Sequence, residues 1–308
     1  MNPIESHQSS QMAGQNDKKI RVSNLKFEAV RKRNKTGSYI IIGLISIFLF
    51  SYFVAIVYPL FWMIMSSFKS TNEIFNNSWG LPKHWLLSNY TEAWSQGVSS
   101  YFMNSVIITV GTCVLTLLIS AACAFGLARF NMKGGKFFLL FVSAGLMFSP
   151  QSSLIPLYNL IQKMGIFDTY WALILTITAY RIPLTVLLIR SFFLSIPKEL
   201  EESAYLDGAT TLDVLFRIFL PMSKPIMFTG AILTAYYSWN EFLFSIIFIQ
   251  SQNLKPITSG LLVFKGALSS NWGVLMAGLV ISAVPLIIVF LFMQKYFVRG
   301  LAEGSVKG

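Results

Sequence analysis

Ile196-Pro197-Lys198-Glu199-Leu200-Glu201-Glu202-Ser203-Ala204-Tyr205-Leu206-Asp207-Gly208-Ala209, continued by Thr210-Thr211-Leu212-Asp213-Val214-Leu215-Phe216-Arg217-Ile218-Phe219-Leu220-Pro221, is a polar, patterned segment between two strongly apolar runs. Pro197 suits the first turn of a helix, where a backbone N–H would have no intrahelical partner. Lys198 to Asp207 then reads as a short helix bearing Glu199, Glu201 and Glu202. Gly208 is placed to end it, because the left-handed residue after a helix C-terminus is best supplied by glycine. Thr210, with Asp213 three residues later, opens a second helix as a capping box. Leu212, Leu215, Phe216 and Phe219 follow at i, i+3, i+4 and i+7, which predicts one apolar stripe. Asp213 and Arg217 fall off that stripe, and Pro221 closes the helix. The apolar face is short and the polar face is as acidic as it is basic, unlike a helix that lies on lipid. The expected partner of these paired half-helices is therefore a groove on a soluble protein.

Outward from this segment the chain is apolar. Of its 308 residues 54% are hydrophobic and 12% charged, about half the charged fraction of a soluble domain. Six apolar runs are long enough to cross a hydrocarbon core: about Tyr39–Met65, Phe102–Leu127, Phe137–Ile161, Tyr170–Phe193, Ile226–Ile249 and Trp272–Val298. Backbone groups in lipid must be satisfied internally, so the runs are predicted as helices and the fold as an all-α membrane protein of six transmembrane helices. The third run contains Ser149-Pro150-Gln151-Ser152-Ser153 and Pro156, which predicts a broken or kinked helix. Such a break is either a kink packed within the bundle or a segment lining a pathway. Cys113 and Cys123 share one run, roughly 15 Å apart along a helix, too far to bridge.

The net charge of +11 is distributed by topology. Basic residues crowd the N-terminal tail (Lys18 to Lys35), the turn Asn131–Lys136, the long segment from Arg190 to Lys224 and the C-terminal tail. The alternate loops hold only Lys69, Lys83, Lys163, Lys255 and Lys265. This asymmetry predicts that both termini and the long segment are cytoplasmic, and it removes nucleic acid as the reason for the charge. The first apolar run is too long for a signal-peptide core and follows a basic tail, so it reads as an uncleaved anchor. The expected organisation is a cytoplasmic tail over residues 1–38, of which Met1–Val30 has the composition of a mobile segment. A first helix with its outside loop follows over 39–101, a five-helix core over 102–298 containing the cytoplasmic loop 194–225, and a cytoplasmic tail over 299–308. In the outside loop, Trp79, Trp85 and Trp94 are candidates for interface anchoring or for contact with an outer partner.

Charges at membrane depth are costly and face a cavity or a partner. Arg181 lies roughly 16 Å from the outer end of the fourth run and Glu241 roughly 14 Å from that of the fifth, at the rise of an α-helix. Equal depths predict an Arg181–Glu241 pair or a shared polar cluster, either structural or forming a pathway wall with Tyr236, Tyr237, Trp239 and Asn240. No histidine lies in the runs, since His7 and His84 fall in a tail and a loop. No metal-ligand spacing or Ser/His pair that a membrane enzyme would need is visible. An ion-coupled carrier would show internal repeats, and none is clear.

The long segment resembles the cytoplasmic signature of permease subunits of binding-protein-dependent ABC importers: Glu-Ala-Ala, three residues, Gly, nine residues, Ile, one residue, Leu-Pro. Here Glu202-Ser203-Ala204, Gly208, Ile218, Leu220 and Pro221 meet each spacing, with Asp207 before the glycine and Ser203 the one departure. Met103-Asn104-Ser105, Ala128-Arg129-Phe130, Leu154-Ile155-Pro156-Leu157 and Trp239-Asn240-Glu241-Phe242-Leu243 resemble the same family. The ending Tyr296–Gly300 with Gly304–Gly308 resembles its carbohydrate branch, close to the smaller permease of maltose-type importers. The resemblance covers Tyr39 to the C-terminus. It implies a type I ABC importer permease fold and a second homologous permease subunit. It also implies two ATP-binding cassette ATPase subunits that seat Glu202–Pro221 as a coupling helix, an extracytoplasmic solute-binding protein, and a sugar substrate in a bacterial cytoplasmic membrane. The chain has no phosphate-binding Gly-x-x-x-x-Gly-Lys-Ser/Thr loop. The resemblance therefore places ATP and Mg on the partner subunits and no catalytic residue, cofactor or metal on this chain. The loop from Ser251 to Asn271 reads as a connector or, as in relatives, an arm toward the binding protein.

Overall fold

The computed structural model describes residues 41–130, 133–267 and 271–305. The N-terminal tail expected over residues 1–38 lies outside them, as do Asn131, Met132 and the last three residues. Among the described residues all regular structure is helical. The chain divides into two units within its first long helix, Met1–Trp62 and Met63–Gly308. The described part of the first unit belongs to α1 (Ile41–Ser66), whose apolar residues, Leu44, Phe48 and Phe53 among them, are exposed as in a lipid-facing span.

In the second unit, α2 (Thr71–Asn76) and α3 (Ser88–Ala93) precede α4 (Ser99–Arg129). A π turn at Trp94–Val98 joins α3 to α4, so apolar helix runs from Ser88 to Arg129. Next come α5 (Gly135–Ala144), α6 (Leu154–Lys163), α7 (Tyr170–Phe193), α8 (Lys198–Leu206) and α9 (Thr211–Met222). The chain continues with α10 (Lys224–Trp239), α11 (Leu243–Phe248), α12 (Ile257–Ala267) and α13 (Trp272–Ser305). Helix α4 packs most extensively on α7 and then on α10, while α10 also meets α13. Its buried face, Asn104, Ser105, Ile108, Thr112, Thr116, Ser120, Ala121 and Ala124, recurs every three or four residues and is mostly small. Small residues let apolar helices approach closely where lipid offers no hydrophobic drive.

Among the described residues four helices are long and apolar enough to span a membrane, and two bent pairs bring the total to six if each counts as one span. The fourth span matches its expected limits, Tyr170–Phe193. The third is broken as expected: Gly135–Met147 meets Pro150–Lys163 at 96°, with Ser149 and Pro150 at the corner. The fifth is corrected. It was expected as one helix over Ile226–Ile249, but α10 ends at Trp239 and α11 begins at Leu243. The Glu241 carboxylate accepts the Phe244 N–H at 2.9 Å, giving α11 a cap that an uninterrupted helix would not need. A further 79° bend separates Thr211–Met222 from Lys224–Trp239.

Long polar reaches pin the connections. Asn104 Nδ2 donates to Asn253 O and Lys255 O, its Oδ1 accepts from the Tyr170 hydroxyl at 2.7 Å, and Ser105 Oγ accepts from Ile257 N. The Ser66–Tyr101 connection, expected as a loop, is instead built around α2 and α3. Lys69 is 1% exposed, and its ammonium donates to Asn77 O (2.8 Å) and Gly80 O (2.6 Å). Replacing Lys69 by Met keeps the apolar stem but strands two carbonyls. With about 1–3 kcal/mol per unsatisfied buried group, a clear fall in the melting temperature of the detergent-solubilised protein is expected. An unchanged melting temperature would show that the two carbonyls find other partners. Trp79, Trp85 and Trp94 remain exposed, at 74%, 57% and 48%.

Asp168 joins the α6–α7 connection to the chain after α11. It adopts a left-handed φ of 57°. Its Oδ1 accepts from Gln250 N (2.9 Å) and Ser251 N (3.0 Å), Ser251 Oγ donates to Oδ2, and its own N–H donates to Phe248 O. Partial desolvation raises its pKa, but the Ser251 hydroxyl, the two backbone N–H groups and Lys255 outweigh this and hold it below the usual carboxylate value. A depressed carboxylate contributes stability above its unfolded pKa, about 4, and loses it as pH falls through the folded value. Asp168→Asn keeps an acceptor and tolerates the left-handed conformation. The stability gap between wild type and D168N is therefore expected at about pH 6 and to close toward about pH 3. Thermal melts across that range check it, and a gap independent of pH would refute it.

Candidate functional site

The hairpin α8–α9 is built by local turn chemistry. Pro197 stands immediately before α8 at φ −57°, and Asp207 follows its last residue. Gly208, at φ 84°, donates to Tyr205 O, while Ala209 N donates to Ala204 O at 3.0 Å. These are the 5→2 and 6→1 bonds of a Schellman ending, which needs a left-handed residue at this point. The capping box forms: Asp213 N donates to Thr210 Oγ1 (3.2 Å) and Thr210 N to Asp213 Oδ2 (3.1 Å). The Thr210 hydroxyl and N–H, with Arg217 at 3.2 Å, hold the Asp213 carboxyl below its ordinary pKa.

The expected apolar stripe is corrected. Leu215 and Phe219 are buried with Val214, but Leu212 and Phe216 are exposed at 65% and 53%. Val214–Phe219 is wound as a π turn. The wider turn puts Leu215 and Phe219 one turn apart and rotates Leu212 and Phe216 away from them. The signature residues divide accordingly. Glu202, Ser203, Asp207, Gly208 and Pro221 lie on the surface, whereas Ala204, Ile218 and Leu220 pack partly buried against the core. Leu206, 89% exposed, stands at the tip. The result is a rigid hairpin with acidic residues and isolated apolar side chains facing outward.

Beneath it lies a core of Phe125, Phe193, Val214, Leu215 and Phe219, with the three rings in edge-to-face contact at 5.0–6.3 Å. Arg129, in the last turn of α4, crosses this core. Its side chain is 3% exposed. Nη2 donates to Phe193 O (2.9 Å) and Ile196 O (2.7 Å), Nε is 3.4 Å from the Glu201 carboxylate, and the guanidinium lies 4.7 Å from the Phe219 ring centroid. In the sequence, Arg129 stands out only within Ala128-Arg129-Phe130, a stretch that resembles the family, with no partner assigned to it. The available signal was a lone arginine at that edge, with Glu201 on the adjoining helix to meet it.

Among the residues grouped at membrane depth, Tyr237 interacts electrostatically with both Arg181 and Glu241, which share a polar cluster without pairing directly. Arg181 lies over the Tyr237 ring at 4.9 Å. The expected Arg181–Glu241 ion pair is absent: among the described residues ion pairs join Arg129 to Glu201 and Arg217 to Asp213. Glu241 is instead turned onto the N-terminus of α11, where backbone N–H groups and the positive helix end stabilise it. Trp239 is buried and donates to Ser282 O at 3.1 Å, so it braces α10 against α13. Asn240 donates back to Tyr236 O, and Tyr236 is 62% exposed. Tyr180 stacks on Phe244 and Phe244 on Phe248, which places Arg181 beside this aromatic ladder.

A bundle of long apolar helices, two of them broken at polar residues, with a rigid amphipathic hairpin at one end, is the architecture of a transport permease. The family of binding-protein-dependent transport system inner membrane components matches residues 116–303, and the chain belongs to it. It is 62% identical over 262 residues, 85% of this chain and 87% of the relative, to the "Probable ABC transporter permease protein YurM" of Bacillus subtilis. It is 34% identical to the diacetylchitobiose uptake system permease protein NgcG of Streptomyces coelicolor, covering 82% of this chain and 85% of that one. The fold matches a chain of a bacterial ABC transporter that imports alginate, with a TM-score of 0.70 at 24% identity over 83% of this chain and 96% of that one. The chain is thus a multi-pass membrane permease subunit of a binding-protein-dependent ABC importer, a non-catalytic component. The comparisons give no support to an ion-coupled carrier.

Proposed function

We propose that the chain forms, with a second permease subunit, the pathway of an importer for a sugar or oligosaccharide, driven by two separate ATPase subunits that bind ATP and Mg. The observation that carries this reading is the α8–α9 hairpin. It is preorganised by a Schellman ending and a capping box, bears the signature residues Glu202, Asp207, Gly208 and Pro221 on its surface, and sits where α4 and α7 end. A short rigid hairpin inserted into a cleft carries movement of the cleft into the bundle, because packed elements shift as bodies. The hairpin and both termini face the cytoplasm, in a bacterial cytoplasmic membrane crossed six times, with α5–α6 and α10–α11 each forming one broken span. The opposite end receives substrate from an extracytoplasmic binding protein. Arg181, Tyr236, Asn240 and Glu241 are the polar groups nearest such a pathway, and Trp239 serves as structure.

Support for a sugar substrate comes from relatives named for diacetylchitobiose, arabinooligosaccharides, and melibiose, raffinose and stachyose. The test is purification through a tag on this chain, identification of co-purifying chains, and uptake of those glycosides by cells with and without it. Co-purified ATPase subunits and loss of uptake of one glycoside on deletion support the reading. A chain that purifies alone and moves solute in liposomes without ATP overturns it.

A further inference from the structure

Arg129 touches every element that meets at the hairpin. It stands in the last turn of α4, a position from which a basic side chain ordinarily serves the free carbonyls of its own helix. Here it reaches across to the end of α7, meeting Phe193 O, which also accepts from Ile196 N, and Ile196 O in the connection that follows. Its Nε side faces Glu201 on α8, and the flat of the guanidinium lies on Phe219 of α9. The tie runs both ways, because Arg190 in the last turn of α7 directs Nε toward Leu127 O of α4 at 3.4 Å. Only a planar fork with several fixed donors can meet two carbonyls, a carboxylate and a ring at once; a lysine ammonium would have to choose among them.

We infer that Arg129 is a positioning residue that locks the α8–α9 hairpin to the α4–α7 helix pair, so that displacement of the hairpin is transmitted into the membrane and not absorbed at Ser195–Pro197. This rests on the hairpin being the ATPase seat. Two features support a mechanical role beyond general packing. The connection from α7 to α8 is short, and its Ile196 carbonyl, held at 2.7 Å, is the tightest of the contacts. Glu202 in α8 and Asp207 just after it are exposed and make none of the joint's contacts, so a change at Arg129 leaves these surface groups in place.

The experiment uses the full chain within its purified complex, with Cys113 and Cys123 replaced by alanine and spin labels at Leu206→Cys on the hairpin tip and Leu118→Cys on α4. Both label positions are exposed. A narrow distance distribution is expected for the parent. A broad one is expected for Arg129→Gln, and an intermediate one for Arg129→Lys, which retains the charge. On addition of ATP and vanadate the parent's hairpin-to-α4 distance is expected to hold, because the two move as one body, whereas in the R129Q complex, which retains its ATPase subunits and hydrolysis, that distance is expected to shift. An R129Q distribution as narrow as the parent's, or an R129Q distance that holds under vanadate as the parent's does, overturns the inference. If R129Q does not assemble, R129K and Glu201→Gln decide by the same comparison of widths, with unchanged widths counting against the joint. A parent chain that brings down no ATPase subunit would instead overturn the functional reading, while the widths still judge the joint.

Discussion

Replacing Gly208 with valine is expected to abolish uptake while leaving the bundle folded. The φ of 84° belongs to the left-handed region, which costs an ordinary L-residue about 1–2 kcal/mol, and more for a β-branched one. A Cβ at this position would meet no atom within 4 Å, so the penalty is purely conformational. Valine relieves it by shifting φ, which breaks the Ala209-to-Ala204 bond and re-aims α9 against α8. The penalty is small beside the stability of the whole bundle but large for the direction of one hairpin. A graded series is therefore expected, with Gly208→Asn close to wild type, Gly208→Ala intermediate and Gly208→Val inactive. Uptake and ATP hydrolysis by the reconstituted importer check it. An asparagine variant as inactive as the valine variant would show that the side chain's presence, and not the backbone's conformation, is what the seat rejects.

The second large effect is on stability. Gly273, in the first turn of α13, lies where an added Cβ would come within 2.3 Å of the Lys69 carbonyl oxygen and 2.6 Å of the Asn89 amide nitrogen. The same Lys69 oxygen accepts from Asn89 Nδ2 at 3.0 Å, and Asn89 also donates to Ser67 O. The obstacle is thus partly backbone and partly a side chain already committed to two bonds, so neither can swing away cheaply. Overpacking of this kind costs about 1–3 kcal/mol where the core can shift, and more where it cannot. Gly273→Ala is expected at or above the upper end, seen as a sharp loss of folded protein in the membrane and of thermal stability in detergent. Trp272 N bonded to the Thr71 hydroxyl would be displaced with it, so the α2–α13 contact should open first in hydrogen exchange. A melting temperature within a degree or so of wild type would mean that α13 slides freely over the Lys69 turn.

The hairpin was legible in the sequence because its determinants are local. Pro197, Gly208 and the Thr210–Asp213 pair act within a few residues, and the structure uses each as its chemistry predicts. The break at Ser149–Pro150 was legible for the same reason. What escaped was set at long range. Arg129 finds its acceptors 64 and 67 residues away, a pairing no spacing rule encodes. The direct Arg181–Glu241 pair did not form, since equal depth in two helices fixes height and not azimuth, although both charges stay within electrostatic reach of Tyr237. A carboxylate beside a helix N-terminus also has nearer donors than an arginine across the bundle. The π turn at Val214–Phe219 hid in a pattern that suits an α-helix, since one added residue per turn leaves the composition of the stripe intact while rotating half of it.

The length of α4 carries one more consequence. Its 31 residues span about 46 Å at the rise of an α-helix, against roughly 30 Å of hydrocarbon. Such a helix must tilt or project, and the choice is set by bilayer thickness. Because Arg129 fastens the end of α4 to α7, α8 and α9, a change of tilt in α4 is also a change in the pitch of the hairpin. On the proposed reading, acyl-chain length in the surrounding lipid would act, through hydrophobic mismatch, on the same joint that the ATPase subunits would move from the other side.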